Sequence, residues 1–143
     1  HTYLGHPTAT AAGLAVVRAL IERGLVDRVA AKGQTLRSML NSQLGQHPHV
    51  GDIRGQGLFL GLELVANRAT KEPFDPALGL AKKIKARAME NGLICYPMAG
   101  TRDGRNGDHV LLAPPFIADD AVFEELTDKL SRTLSETLEF ASL

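Results

Sequence analysis

The chain has 143 residues, enough for about one domain. Its 16 basic and 16 acidic side chains cancel, which removes the electrostatic grounds for nucleic acid or an acidic membrane surface as partner. No apolar run reaches the roughly 18 residues of a transmembrane helix, and the single cysteine, Cys95, rules out an internal disulfide and fits a reducing, cytoplasmic setting.

In chain order, Pro7 suits the first turn of a helix, where its missing N–H costs nothing. Residues 8–23 are predicted helical, with Leu14, Val17, Leu20 and Ile21 on one apolar face and Gly24 as C-terminal cap. A second helix is predicted over 26–44, lined by Val29, Leu36, Leu40 and Leu44 and stopped ahead of Pro48. Residues 50–57 are interrupted by Gly51, Gly55 and Gly57, and the apolar run 58–65 reads as a buried strand. Asp75-Pro76 reads as a cap and first turn for a third helix, with Ala77, Ala81, Ile84 and Ala88 as its buried stripe and Gly92 as its end. Strands are expected at 93–96 and 109–112, separated by a polar, glycine-rich loop over 97–108. A last helix is expected over 119–138, with Val122, Leu126, Leu130, Leu134 and Leu138 recurring every fourth residue. The expected class is α+β: a small, mostly antiparallel sheet covered on one face by helices.

Three stretches carry chemistry. The first is His1-Thr2-Tyr3-Leu4-Gly5-His6-Pro7, which reads as the interior of a longer protein, so the N-terminus is expected to be a cut. The second is Gly51-Asp52-Ile53-Arg54-Gly55-Gln56-Gly57-Leu58-Phe59, continuing to Leu64; the third is Gly107-Asp108-His109-Val110-Leu111-Leu112-Ala113-Pro114-Pro115-Phe116. In this order and at these spacings the chain resembles the class III (omega-type) aminotransferases along essentially its whole length.

That resemblance implies a fold-type I enzyme with pyridoxal 5'-phosphate as cofactor, related in fold to aspartate aminotransferase and assembled as a homodimer. Residues 1–45 correspond to the helical end of the cofactor-binding large domain, and 46–143 to the small C-terminal α+β domain. The implied activity of the complete protein is transfer of an amino group from an amine or amino-acid donor to a 2-oxo acid. Racemase, mutase and decarboxylase relatives share the motifs. A short, non-catalytic dimerisation or small-molecule-binding domain is the alternative from another class.

The resemblance gives Thr2, helped by the backbone of His1, a contact to the cofactor phosphate across the dimer interface; hydroxyl and N–H donors near a helix start suit a phosphate. The competing reading makes Thr2 a turn-ordering residue. Many members carry a carboxylate-binding arginine just ahead of the Gly-Asp pair, where a guanidinium fork meets the acid in a bidentate pair. Here Tyr96 stands at that place and residues 98–106 form an insertion, so Arg102 or Arg105 on the insertion becomes the replacement clamp, set against two ordinary surface arginines.

His6 reads as a structural turn residue, Arg54 as a structural partner for a carboxylate or for carbonyls, and Cys95 as a buried thiol. His47 and His49 lack a third ligand nearby, so no metal is expected. Pyridoxal-phosphate chemistry requires a lysine that forms a Schiff base with the cofactor. Lys32, Lys71, Lys82, Lys83, Lys85 and Lys129 all fall outside the context of that residue. None of the chain's residues is therefore expected to be catalytic, and the chain is expected to be inactive by itself.

Overall fold

The computed structural model describes Thr2 and residues 4–139. The order is α1 (Pro7–Glu22), α2 (Leu25–Leu44), β1 (Val50–Gln56), β2 (Phe59–Leu64), a 3-10 turn (Pro76–Leu78), α3 (Leu80–Glu90), β3 (Tyr96–Ala99), β4 (Asp108–Leu112) and α4 (Asp120–Leu138). The strands form one antiparallel sheet in the order β1-β2-β4-β3. Helices α2 and α3 lie against the sheet and α4 packs across both, which gives the expected mixed architecture with helices on one face.

The sheet's alternation decides which residues are available for function. Leu60, Leu62 and Leu64 of β2 point into the core with Val110 and Leu112 of β4, while Phe59, Gly61, Glu63, His109 and Leu111 stand on the other face. From the helices come Leu36, Leu40 and Leu44 of α2, Ile84 of α3 and Phe123, Leu130 and Leu134 of α4, all without exposed surface. Each such side chain contributes roughly 1.5–3 kcal/mol relative to an exposed one. Packing is continuous across residue 45, because the leucines of α2 share one cluster with the strands.

Several expectations change in detail. The glycine-broken stretch 50–57 is a true strand: Asp52 to Gln56 pair in register with Glu63 to Phe59, and the irregularity is confined to Val50–Asp52. Gly55 (φ 145) and Gly57 (φ 54) permit the turn into β2. Asp75 does cap a turn through Ala77 N–H (2.8 Å), but that turn is 3-10; Gly79 at φ 59 breaks it, and α3 starts at Leu80. Ala77 is thus exposed and Leu80 takes the buried position. Strand β3 begins at Tyr96 rather than ending there.

The first helix departs most from its expected burial. No residue of α1 is buried, and Leu14, Val17 and Ile21 of its apolar face are exposed. In α4 the fourfold repeat reaches the core from Leu130 onward, while Val122 is exposed and Phe123 fills the site beside it. Among the described residues no helix is long and apolar enough to cross a membrane.

Candidate functional site

The Thr-Tyr stretch precedes α1. His1 lies outside the described residues; Thr2 is exposed, in a turn that passes through Gly5 at φ 74 before the helix. His6 is the helix N-cap, its Nδ1 accepting the Ala9 N–H at 3.4 Å, and the Thr10 hydroxyl donates to the Pro7 carbonyl at 2.9 Å. His6 is therefore used in the turn, which is the structural role its sequence setting suggests.

Tyr96 opens β3 opposite Leu111 and is exposed. It lines a hollow of about 760 Å³, together with Phe59 of β2, Ile94, Leu111 of β4, Pro114 and Val122 of α4. The lining is mainly apolar, with Glu125 and Lys129 as a charged pair 2.5 Å apart. Sequence reading finds Tyr96 but not its neighbours, because they come from separate segments and only the sheet order brings them together. Cys95 also lines the hollow; burial pushes its thiol up to about 11, so it stays protonated and unreactive near neutral pH.

Arg102 and Arg105 sit at the opposite end of the β3–β4 hairpin. Ala99 pairs with Asp108 there, and Tyr96 lies three strand residues away, about 10 Å along the strand. The structure therefore does not bring Tyr96 and the two arginines into one cluster. The tip that carries them is well tied. Asp103 accepts the backbone N–H groups of Arg105 (2.9 Å) and Asn106 (2.7 Å) and the Asn106 amide (2.7 Å), and the Arg102 N–H reaches the Asn106 carbonyl at 2.9 Å. These bonds, the Asn106 N–H foremost, hold the Asp103 carboxyl at about 2. Both arginine side chains are exposed on a folded turn rather than a loose loop. No described hydrogen bond or hollow joins either of them to Thr2 or Tyr96.

The second and third motifs meet on the sheet. Arg54 pairs with Glu63 at 2.5 Å and Asp52 at 2.9 Å, and these two carboxylates, Glu63 first, hold its guanidinium charged. Across β2, Glu63 faces His109, whose ring meets the Thr101 hydroxyl. Gly61 keeps the floor open, since a side chain there would crowd Leu111 at 3.3 Å, and a hollow of about 360 Å³ results.

Asp108 of the Gly-Asp pair has a different job. It is buried, and its carboxylate faces the Ala81 N–H in the first turn of α3, a helix whose own N-cap, Gly79, has no side chain to offer. Burial pushes its pKa up, against the opposing pull of His109 and the Ala81 N–H. The motif residue thus builds the fold that carries the site.

At the bend before β1, His47 Nδ1 accepts the His49 N–H at 3.2 Å, and the rings lie 5.9 Å apart. Among the described residues no group of three or more His, Cys, Asp or Glu is placed to hold a metal ion.

Of the lysines, Lys32, Lys71 and Lys129 each donate to backbone carbonyls, and Lys82, Lys83 and Lys85 are exposed along α3.

Comparison with known proteins gives one consistent result. The family model "Aminotransferase class-III" matches residues 1–134. An uncharacterized aminotransferase of Schizosaccharomyces pombe is 44% identical over 96% of this chain and 30% of its own length. A leucine/methionine racemase of Thermococcus litoralis is 33% identical, over 96% of this chain and 29% of its own length. The crystal structure of a transaminase from the marine bacterium Virgibacillus superposes with a TM-score of 0.85 at 31% identity, covering 98% of this chain and 31% of that one. The chain thus spans about a third or less of the length of these relatives. Motif order, sheet topology and a family match over residues 1–134 agree: the chain belongs to the class III aminotransferase family.

Proposed function

We propose that this chain is the C-terminal part of a pyridoxal-phosphate-dependent aminotransferase, which moves an amino group from an amine or amino-acid donor to a 2-oxo acid. The observation that carries this reading is the family match over residues 1–134, on a fold that superposes on a transaminase with a TM-score of 0.85. Residues 1–45 belong with a cofactor-binding large domain and 46–143 form the small domain; α2, packed into the small-domain core, is the element the two share. The complete protein works as a cytoplasmic homodimer.

The residues of this chain fit one end of the cofactor. Thr2, exposed ahead of a helix start, offers a hydroxyl to the phosphate of the neighbouring subunit, with the backbone of His1 beside it. We assign the lysine that anchors the cofactor to another part of the protein; that three of the lysines here donate to carbonyls and three lie on α3 supports this reading. When bound, pyridoxal phosphate supplies the electron sink for amino transfer.

The remaining roles concern the substrate. Tyr96 lines the hollow that takes its apolar part. Arg102 or Arg105 binds the carboxylate of the acid substrate, replacing the arginine that Tyr96 displaces, and the Asp103 turn fixes the backbone from which both side chains extend. No base or nucleophile is assigned within this chain.

Racemization is the second reading, favoured by the leucine/methionine racemase relative. Both are tested on the full-length protein with a ¹⁵N-labelled amino donor and pyruvate. Label in newly formed alanine supports amino transfer; inversion of the donor without transfer of label supports the racemase. A Thr2→Ala change lowers affinity for pyridoxal phosphate, and unchanged affinity removes the phosphate role.

A further inference from the structure

The segment after β4 forms a wall of the hollow at Tyr96 through Ala113, Pro114 and Pro115. Two consecutive prolines have no N–H to give, so Pro114 and Pro115 donate no ladder bonds to the sheet. Its turn is closed by the Ala118 N–H to the Pro115 carbonyl at 2.9 Å. Two more carbonyls of the segment, those of Phe116 and Ala118, face Lys32 of α2, whose Nζ donates to Phe116 at 2.9 Å and also to Ala118. Lys32 lies more than eighty residues away in sequence and is half-buried. An ammonium has three donors on one point charge, so it serves two converging carbonyls at once. Helix α2 is also fixed to the β1–β2 turn: Arg37 donates to the Gly55 carbonyl, and a Cβ on Gly33 would lie 2.2 Å from the Gly57 carbonyl oxygen.

We propose that Lys32 is a positioning residue for the substrate hollow, acting through the backbone of residues 116–118. The assignment rests on the aminotransferase reading above. Lys32 touches no lining residue of the hollow with its ammonium; it fixes the segment on which Pro114 and Pro115 stand. Without it the two carbonyls lose their shared donor and the wall shifts relative to Tyr96. Donors with a large apolar group feel that shift, and donors that do not fill the hollow do not.

The test uses the full-length holoenzyme with pyruvate as acceptor and two donors, 1-phenylethylamine and glutamate. Lys32→Met keeps the stem and removes the donors. It raises KM for 1-phenylethylamine about tenfold, with kcat within about twofold and KM for glutamate unchanged; Lys32→Arg restores most of the loss. A purely structural role would lower the active fraction, and so the apparent kcat with both donors, while leaving both KM values alone. That outcome overturns the proposal, as does an equal KM rise for both donors. Should Lys32→Met not fold, Lys32→Gln carries the same reading, with a KM rise of at least about threefold for the aryl donor in support and an unchanged KM against. Absence of amino transfer by the wild-type enzyme overturns the aminotransferase reading and this assignment together, whereas turnover with unaltered KM overturns the Lys32 assignment alone.

Discussion

The carboxylate of Asp108, on the central strand β4, faces the Ala81 N–H in the first turn of helix α3, where the N-cap Gly79 has no side chain to offer. Asp108→Ala removes the acceptor and lowers stability by about 1–2 kcal/mol. Asp108→Asn keeps an acceptor oxygen and removes a buried charge, so its loss stays below about 1 kcal/mol at neutral pH. The sign follows from the raised pKa: the folded state favours the protonated acid, and that contribution is present at low pH and fades as pH rises through the folded-state value. Urea denaturation at pH 4 and pH 7 separates the variants; equal losses for alanine and asparagine would argue against a cap.

Acid acts on His47 in the opposite direction. Burial, and then the neighbouring His49, lower its pKa below the usual 6.5. In the unfolded chain His47 takes up its proton first, so its contribution to stability is present above about pH 6.5 and is lost as pH falls through the folded-state value. The His49 N–H bond to its Nδ1 requires that nitrogen unprotonated. Stability measured between pH 7.5 and 5 drops in the wild type and drops less in His47→Gln; identical profiles would remove His47 as the cause.

Gly33→Ala separates two elements that now touch. The added carbon would meet the Gly57 carbonyl at 2.2 Å, and backbone rather than a flexible side chain must yield. A loss of about 2 kcal/mol or more is expected in thermal or urea unfolding. Alanine at Gly13 of α1 meets nothing within 4 Å and serves as the control, with no loss expected beyond experimental scatter.

In the full-length protein Arg102→Ala and Arg105→Ala test the proposed carboxylate clamp. The residue that binds the acid raises KM for a 2-oxo acid by about tenfold or more when removed, and the other leaves it within about twofold. If both leave KM unchanged, the hairpin tip is an ordinary charged surface.

Helix signals are the most legible part of the sequence. Asp119 caps α4 through the Val122 N–H at 3.1 Å, and α1 and α2 fall within one residue of their expected starts. Those signals are local: a cap, a proline or a repeat is complete within a few residues. Strand β1 is hidden because its evidence is the register with Glu63 to Phe59, which no window around its glycines contains. Periodicity marks an apolar face on α1 correctly as a pattern but does not say that the face stays open. Of the candidate site residues, Thr2 and Tyr96 are picked out by the family resemblance, and Arg102 and Arg105 by the insertion that departs from it. Their separation along the hairpin, and the lining that Tyr96 shares with Phe59, Leu111 and Val122, depend on sheet order and are invisible in one dimension.

Helix α1 spans 16 residues and contributes no buried side chain. Helices of that length are marginal in water when nothing packs against them. Among the described residues the buried apolar cluster begins at Leu36, so cooperative unfolding belongs to α2, the sheet and the later helices, on the far side of the Gly24 joint. The helix downstream of Thr2 leaves Leu14, Val17 and Ile21 open, so under the proposed reading the order of the Thr2 turn, and with it any phosphate contact, depends on what covers that face.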